Sequence, residues 1–127
     1  MDRRDRVDLP LLIVDGANVV GSVPDGWWRD RRGAAERLRD RLVTGPALEG
    51  GPFEVVLVVE GAARGVASVP GVRVEEAPGS GDDLIVELAR NAAGRPCLVV
   101  TADRELRHRV SEHGARCVGP RALRATP

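Results

Sequence analysis

Short, continuous apolar runs alternate with helical patterns along this chain, and that alternation limits the possible folds more than any other feature. Residues 11–14 form one such run, which ends at Asp15. Runs of this length, bounded by turn residues, are typical of strands that are buried on both faces. On this basis we predict five strands, at residues 11–15, 53–59, 72–75, 97–101 and 115–118.

Helical patterns lie between the predicted strands. The first predicted helix spans residues 28–43, and one face of it carries Trp28, Ala35, Leu38 and Leu42. Two further helices are predicted at about residues 82–93 and 103–113, and a glycine follows each of them. Residues 16–26 contain three glycines and a proline, so we predict a loop there.

The order of these elements predicts an α/β fold with a mostly parallel sheet and helices on both of its faces. Because crossovers between parallel strands are right-handed, few topologies remain. We expect a single domain over residues 11–120. Residues 1–10 are mostly charged, and we predict that they are disordered.

Composition narrows the function classes. The 127 residues carry nineteen basic and nineteen acidic side chains, and every basic one is Arg. Zero net charge argues against a strongly basic scaffold that coats duplexes, although Arg does suit contacts with phosphate. Cys97 and Cys117 lack the spacing of a zinc site, and no apolar run is long enough to span a membrane. We therefore expect a cytoplasmic protein in a reducing compartment, with no membrane partner.

Acidic residues follow the predicted strands or begin the predicted helices. Asp15 ends the first strand, Glu60 follows the second, the doublet Asp82–Asp83 begins a helix, and Asp103 follows the strand at residues 97–101. The carboxyl ends of parallel strands line a common crevice, so these carboxylates are expected to converge there. Close carboxylates repel each other unless a cation offsets their charge. The sequence therefore indicates a metal-dependent site.

Each acidic residue also has a local explanation, which the sequence leaves open. An Asp before Gly, as in Asp15, favours a turn. Acidic residues at helix starts, such as Asp82 and Asp103, are stabilised by capping and by the helix dipole, by about 0.5–2 kcal/mol. Glu60 is either a further ligand or an exposed loop carboxylate.

Asn18 and Thr101 have two interpretations each. Asn18 either lies at the site, holding Asp15 or a phosphate, or caps the loop, and the Thr101 hydroxyl either reaches the site or caps a helix. No dinucleotide fingerprint, phosphate-binding Gly-Lys-Ser/Thr loop or nucleophilic serine elbow is present in the sequence. Nucleotide-cofactor chemistry and serine catalysis are therefore weakly supported.

Three segments, residues 14–21, 81–85 and 100–106, together resemble the NYN domain, a branch of the PIN-like nuclease superfamily. The similarity covers residues 11–118 and is strongest to the YacP-like group of small bacterial proteins. It implies a three-layer α/β/α fold around a parallel sheet. It also implies a metal-dependent endoribonuclease that uses Mg²⁺ or Mn²⁺.

The resemblance also implies roles for individual residues. Asp15, Asp82 and Asp103 correspond to the metal ligands, and Asp83 is a second candidate in the doublet. Asn18 matches an Asn near the family's site. Glu60 stands where related proteins commonly have Asp.

From these assignments we expect hydrolysis of RNA phosphodiester bonds, with Asp15, Asn18, Asp82 and Asp103 as the catalytic residues. Thr101 would orient ligands or water from behind them.

Binding of RNA is assigned to the arginines near the first loop and after Asp103. The predicted contacts are made by Arg29, Arg32, Arg104 and Arg107. The alternative is that these arginines belong to solvated helix faces with ion pairs four residues apart. Trp27 and Trp28 either stack on bases or pack under the first helix.

Single-stranded RNA is the expected partner, with ribosome association as a further expectation, and the oligomeric state is left open. Two other functions remain. One is an RNA- or ribosome-binding module with weak or no catalysis. The other is a nucleotide phosphohydrolase that uses the same carboxylates.

Overall fold

The computed structural model describes residues 9–45 and 48–124 of the chain. Within these residues, five strands form one sheet in the order β3-β2-β1-β4-β5, and all of its pairings are parallel. The strands are β1 (Leu11–Asp15), β2 (Glu54–Val59), β3 (Val72–Glu76), β4 (Cys97–Val100) and β5 (Arg116–Val118). The predicted disorder of residues 1–10 lies outside the described residues, except at Leu9 and Pro10.

Strand β1 is the centre of the sheet. It pairs with β2 from Leu11 opposite Glu54 to Asp15 opposite Val58, and it pairs with β4 on its other side. Every residue of β1 is buried. Asp15 therefore ends the most enclosed of the five described strands, at the edge where the parallel strands finish.

Four α-helices pack on the two faces of the sheet in the described part of the chain. They are α1 (Gly16–Gly21), α2 (Arg31–Val43), α3 (Gly81–Asn91) and α4 (Arg104–Ser111). Alternate strand residues separate two cores, one against α1 and α2 and the other against α3 and α4. The predicted α/β/α sandwich is thus confirmed. None of the described helices is long and apolar enough to cross a membrane.

Two local predictions differ from the structure. The predicted loop at residues 16–26 begins with helix α1, because the Asp15 side chain caps it by accepting a hydrogen bond from the Asn18 N–H. The predicted helix at residues 28–43 is divided into a 3₁₀ turn at Trp27–Arg29 and helix α2, with Asp30 as the cap between them.

The prediction that Trp28 lies on the buried face of the first long helix is therefore wrong. The division at Asp30 turns the Trp28 side chain outwards, and it is 51% exposed. Ala35, Leu38 and Leu42 do lie in the core, as their spacing indicates.

The amino end of the sheet is held by ion pairs. Arg95 donates to the Leu9 carbonyl at 3.0 Å and to one oxygen of Glu54 at 3.1 Å. Arg73 donates to the other oxygen of Glu54 at 3.2 Å and pairs with Glu75 at 3.0 Å. The Glu54 carboxylate at this end is thus paired with two guanidinium groups.

Candidate active site

Asp15 is a buried carboxylate held by two hydrogen bonds. One of its oxygens accepts from the Thr101 hydroxyl at 2.9 Å, and the other accepts from the Asn18 N–H at 3.4 Å. The pKa of Asp15 is raised from 3.8 to about 6, mainly by burial and to a smaller extent by the charges of Asp82 and Glu60, and these two bonds oppose the shift. Ionised Asp15 is therefore destabilising as the site stands.

Asp82 lies in the first turn of α3 and is half-buried. Burial raises its pKa, as do the charges of Asp103 and Glu60, whereas Arg109 opposes the shift. Among the described residues, none donates a hydrogen bond to its carboxylate. Asp82 is thus the least constrained carboxylate of the group.

Glu60 connects the end of β2 to the start of α3. One of its carboxylate oxygens accepts from the Gly81 N–H at 2.9 Å. A methyl group at Gly81 would collide with that oxygen, so glycine is what allows the contact. One oxygen of Glu60 is therefore engaged in joining two elements, whereas the sequence suggested only a ligand or an exposed carboxylate.

Asp103 caps helix α4, because its side chain accepts from the Leu106 N–H at 2.9 Å. It also lies close enough to Asp82 for its charge to raise the pKa of that group. The capping interpretation of Asp103 is therefore observed, and its role as a metal ligand stays a prediction.

Thr101 and Asn18 tie the ends of β1 and β4 together. The Thr101 hydroxyl, which donates to Asp15, accepts from the Asp103 N–H at 3.1 Å. The Asn18 side-chain oxygen accepts from the Ala102 N–H at 2.8 Å. A single hydroxyl therefore bridges the Asp15 side chain and the Asp103 backbone N–H, which come from distant segments of the chain.

Asp83 and the arginines predicted to bind RNA lie around this group. The Asp83 side chain is 74% exposed and pairs with Arg109 at 2.9 Å. Among the predicted RNA contacts, Arg107 is half-buried and donates to the Thr101 carbonyl at 3.0 Å. The others, Arg29, Arg32 and Arg104, are exposed. Their contacts with RNA stay predictions.

The donor chemistry of the group fits a hard divalent cation. Asp15, Asp82, Asp103 and Glu60 offer only oxygen atoms, which Mg²⁺ and Mn²⁺ prefer. A cation would also offset the repulsion that raises the pKa of Asp15 and Asp82. In the described part of the chain, no three acidic, His or Cys side chains already stand as a formed metal site. Side chains would therefore have to turn to complete one.

A small cavity beside the carboxylates was not foreseen from the sequence. Its volume is about 150 Å³, and Gly16, Glu60, Trp27 and Arg31 are among the residues that line it. The guanidinium of Arg31 lies 5.3 Å from the centre of the Trp27 ring. The spacing of Trp27 and Arg31, four residues apart, is the only sequence signal for this arrangement. A larger cavity of about 630 Å³ lies between α1, α2 and the 3₁₀ helix Pro120–Arg124.

The parallel sheet, the two helical layers and the acidic carboxyl edge define an α/β/α protein with carboxylates where its parallel strands end. Among solved structures, the chain is similar to Rae1 (YacP) from Bacillus subtilis, with a TM-score of 0.69 and 22% identity over 89% of this chain and 70% of that one. A variant of Rae1 with one Trp replaced by Leu gives a TM-score of 0.67 and 22% identity over 91% and 72% of the two chains. No family model and no curated protein matches the sequence. The chain therefore has a YacP-like fold, as its motifs indicate.

Proposed function

We propose that this protein is a metal-dependent endoribonuclease that hydrolyses phosphodiester bonds of single-stranded RNA. The observation that carries the proposal is the group of Asp15, Asp82 and Asp103. These residues come from three distant segments, and the pKa of Asp15 and of Asp82 is raised by burial and by neighbouring carboxylates. Uncompensated acids in one place are typical of catalytic sites rather than of structural ion pairs.

Asp15 and Asp82 are the residues that would hold Mg²⁺ or Mn²⁺, with Asp103 beside them. A bound ion of this kind supplies activation of water and offsets the charge that develops on phosphate. Thr101 fixes one oxygen of Asp15 with a bond of 2.9 Å. The other oxygen has only a longer bond of 3.4 Å, so it is the oxygen that is more easily released for a ligand.

The free-energy cost of burying the Asp15 carboxylate favours hydrolysis of RNA over binding alone. A module that only bound RNA would gain nothing from a buried carboxylate, because the phosphates of RNA are negatively charged and would be repelled. A nuclease does gain, since the same carboxylate can hold the cation that attracts phosphate.

The test is cleavage of a labelled single-stranded RNA with Mg²⁺ or Mn²⁺. We expect Asp15→Asn and Asp82→Asn to reduce the rate more than the roughly 10- to 100-fold typical of residues that only support metal ligands. Asp40→Asn is the matched control, because Asp40 is exposed on α2 and pairs with Arg39. A chelator should stop the reaction in every active variant.

Other outcomes would reject the proposal. Binding of RNA without metal-dependent cleavage would indicate a binding module. Release of phosphate from free nucleotides, with the RNA left intact, would indicate a phosphohydrolase. Cleavage that survives Asp15→Asn would place the chemistry elsewhere.

A further inference from the structure

We propose that the cavity of about 150 Å³ beside the carboxylates binds one nucleobase of the RNA, from a nucleotide next to the cleaved phosphate. This inference rests on the proposed function, since it assigns part of the same substrate. It adds a binding site, here called the base pocket, which is lined by Gly16, Trp27, Arg31, Ala35, Glu60 and Ala63.

The base pocket adjoins the carboxylate group directly. Gly16 follows Asp15 in the chain, and Glu60 belongs to both, because its charge acts on Asp15 and Asp82. A chain of RNA with a phosphate at the carboxylates would therefore have its neighbouring base at the mouth of the pocket.

The walls of the base pocket suit a flat ring. They combine the small apolar side chains of Ala35 and Ala63 with the indole of Trp27. An apolar cavity of about this volume accepts benzene in another protein. The size of the cavity therefore suits the ring of one base, while the sugar and the phosphate would stay outside.

Arg31 places a positive charge at the same pocket. Its guanidinium lies 5.3 Å from the centre of the Trp27 ring, and its side chain is exposed. A base against Trp27 would thus have a cation within reach of its phosphate. Apolar surface, an aromatic ring and a guanidinium together match a nucleotide better than they match a purely apolar ligand.

Trp27, rather than Trp28, is the ring assigned to the base. Trp28 does not line the pocket, and its ring meets Trp27 edge-on, at 5.8 Å and 86°. The Arg29 guanidinium lies 5.7 Å from the centre of the Trp28 ring. Trp28 is therefore suited to supporting Trp27 from the side.

The test uses the fluorescence of the two tryptophans, since the chain has no Tyr. Trp28→Phe leaves Trp27 as the only indole, and Trp27→Phe leaves Trp28. Each variant is titrated with hexauridylate in the presence of a chelator, so that no cleavage occurs. We expect the oligonucleotide to quench Trp27 in the first variant and to leave Trp28 nearly unchanged in the second.

Filling the pocket is the second measurement. Ala63→Leu should weaken binding of hexauridylate by about tenfold, within the range of one stacked base. Ala62→Leu is the matched control, because Ala62 is exposed, adjacent in sequence and outside the pocket. A hexamer of abasic sugar phosphates, which has the same charge, should bind both variants equally. Ala17→Leu, at an exposed residue that lines the pocket, repeats the test if Ala63→Leu fails to fold.

Equal affinity of the pocket-filling variant and the Ala62→Leu control for hexauridylate would overturn the base pocket, as would quenching confined to Trp28. Because the assay contains no metal and needs no cleavage, it fails separately from the proposed function. A chain that stacks bases on Trp27 without hydrolysing RNA would keep the base pocket and lose the nuclease assignment. Normal cleavage of RNA, together with equal affinities of the pocket-filling variant and the control for hexauridylate, would keep the nuclease assignment and reject the base pocket.

Discussion

The two ends of the sheet differ in the surroundings of their carboxylates. At the amino end, Glu54 lies between Arg95 and Arg73, and each of its oxygens accepts from one of them. At the carboxyl end, Asp15 and Asp82 lie near other carboxylates, and the pKa of both is raised. The Glu54 carboxylate at the amino end is paired with cations, as a stable folded protein requires. The carboxylates at the carboxyl end lie near groups of the same charge.

The contrast separates residues that maintain the fold from residues that are retained for another reason. Paired charges at the amino end lower the free energy of the folded state, whereas a buried Asp15 raises it. Sites that bind and react commonly carry such a cost in stability. Neutral substitution of Asp15 should therefore affect activity and stability in opposite directions.

The largest effect on stability is expected from the backbone contact at the carboxyl end. A methyl group at Gly16 would lie 2.5 Å from the carbonyl oxygen of Val58. Gly16→Ala should therefore lower the free energy of unfolding by about 3 kcal/mol, at the upper end of the usual range for overpacking. Gly21→Ala is the control in the same helix, since its methyl group would meet Trp27 at an ordinary 3.7 Å. Urea unfolding measures the free energy of unfolding of both variants. Equal values would show that β2 shifts at this point with little cost in free energy.

Removing the charge of Asp15 tests whether the two ends of the sheet differ in how their carboxylates affect stability. The pKa of Asp15 is about 6 in the folded protein against an ordinary 3.8, so its contribution to stability is fully present below pH 3.8 and is lost as the pH rises through about 6. Asp15→Asn should therefore raise the free energy of unfolding by roughly 2–3 kcal/mol near pH 8, and the gain should disappear below about pH 4. Urea unfolding across this pH range measures it. A loss of stability at pH 8 would contradict the raised pKa.

Removing the charge of Glu54 should have a smaller effect of opposite sign. Glu54→Gln leaves Arg95 and Arg73 without their shared carboxylate, so the free energy of unfolding should fall by about 1–2 kcal/mol at neutral pH. The comparison with Asp15→Asn under the same conditions is the measurement. Two changes of the same sign would mean that the ends of the sheet do not differ.

The sequence predicted the sheet well because its strands are continuous apolar runs that need no long-range information. Strand β1 was predicted at its observed residues, and β2, β3, β4 and β5 differ from prediction by a residue at one end. Helix α1 was missed because it is only six residues long and begins at the Asp15 side chain, whose capping bond no periodicity reveals. Asp30 divides the next helix for the same reason.

The site was partly predictable. Parallel topology places acids that follow strands at one edge, so the proximity of Asp15, Asp82 and Asp103 could be foreseen from the motifs. The bond between Glu60 and Gly81 could not, because it depends on how α3 approaches β2. The metal ligands and the bases that the site would bind remain predictions, since they depend on side-chain positions that no sequence pattern specifies.

Strand β5, although short, helps to hold the candidate site in place. This three-residue edge strand supplies the Val118 carbonyl that accepts from the Thr101 N–H at 2.9 Å, and Thr101 in turn holds Asp15. Local opening of a short edge strand requires less free energy than global unfolding, so the alignment of Asp15 would be lost before the core melts. Cys117 in β5 is a natural reporter of that opening, because its half-buried thiol would react with a labelling reagent earlier than buried Cys97 does.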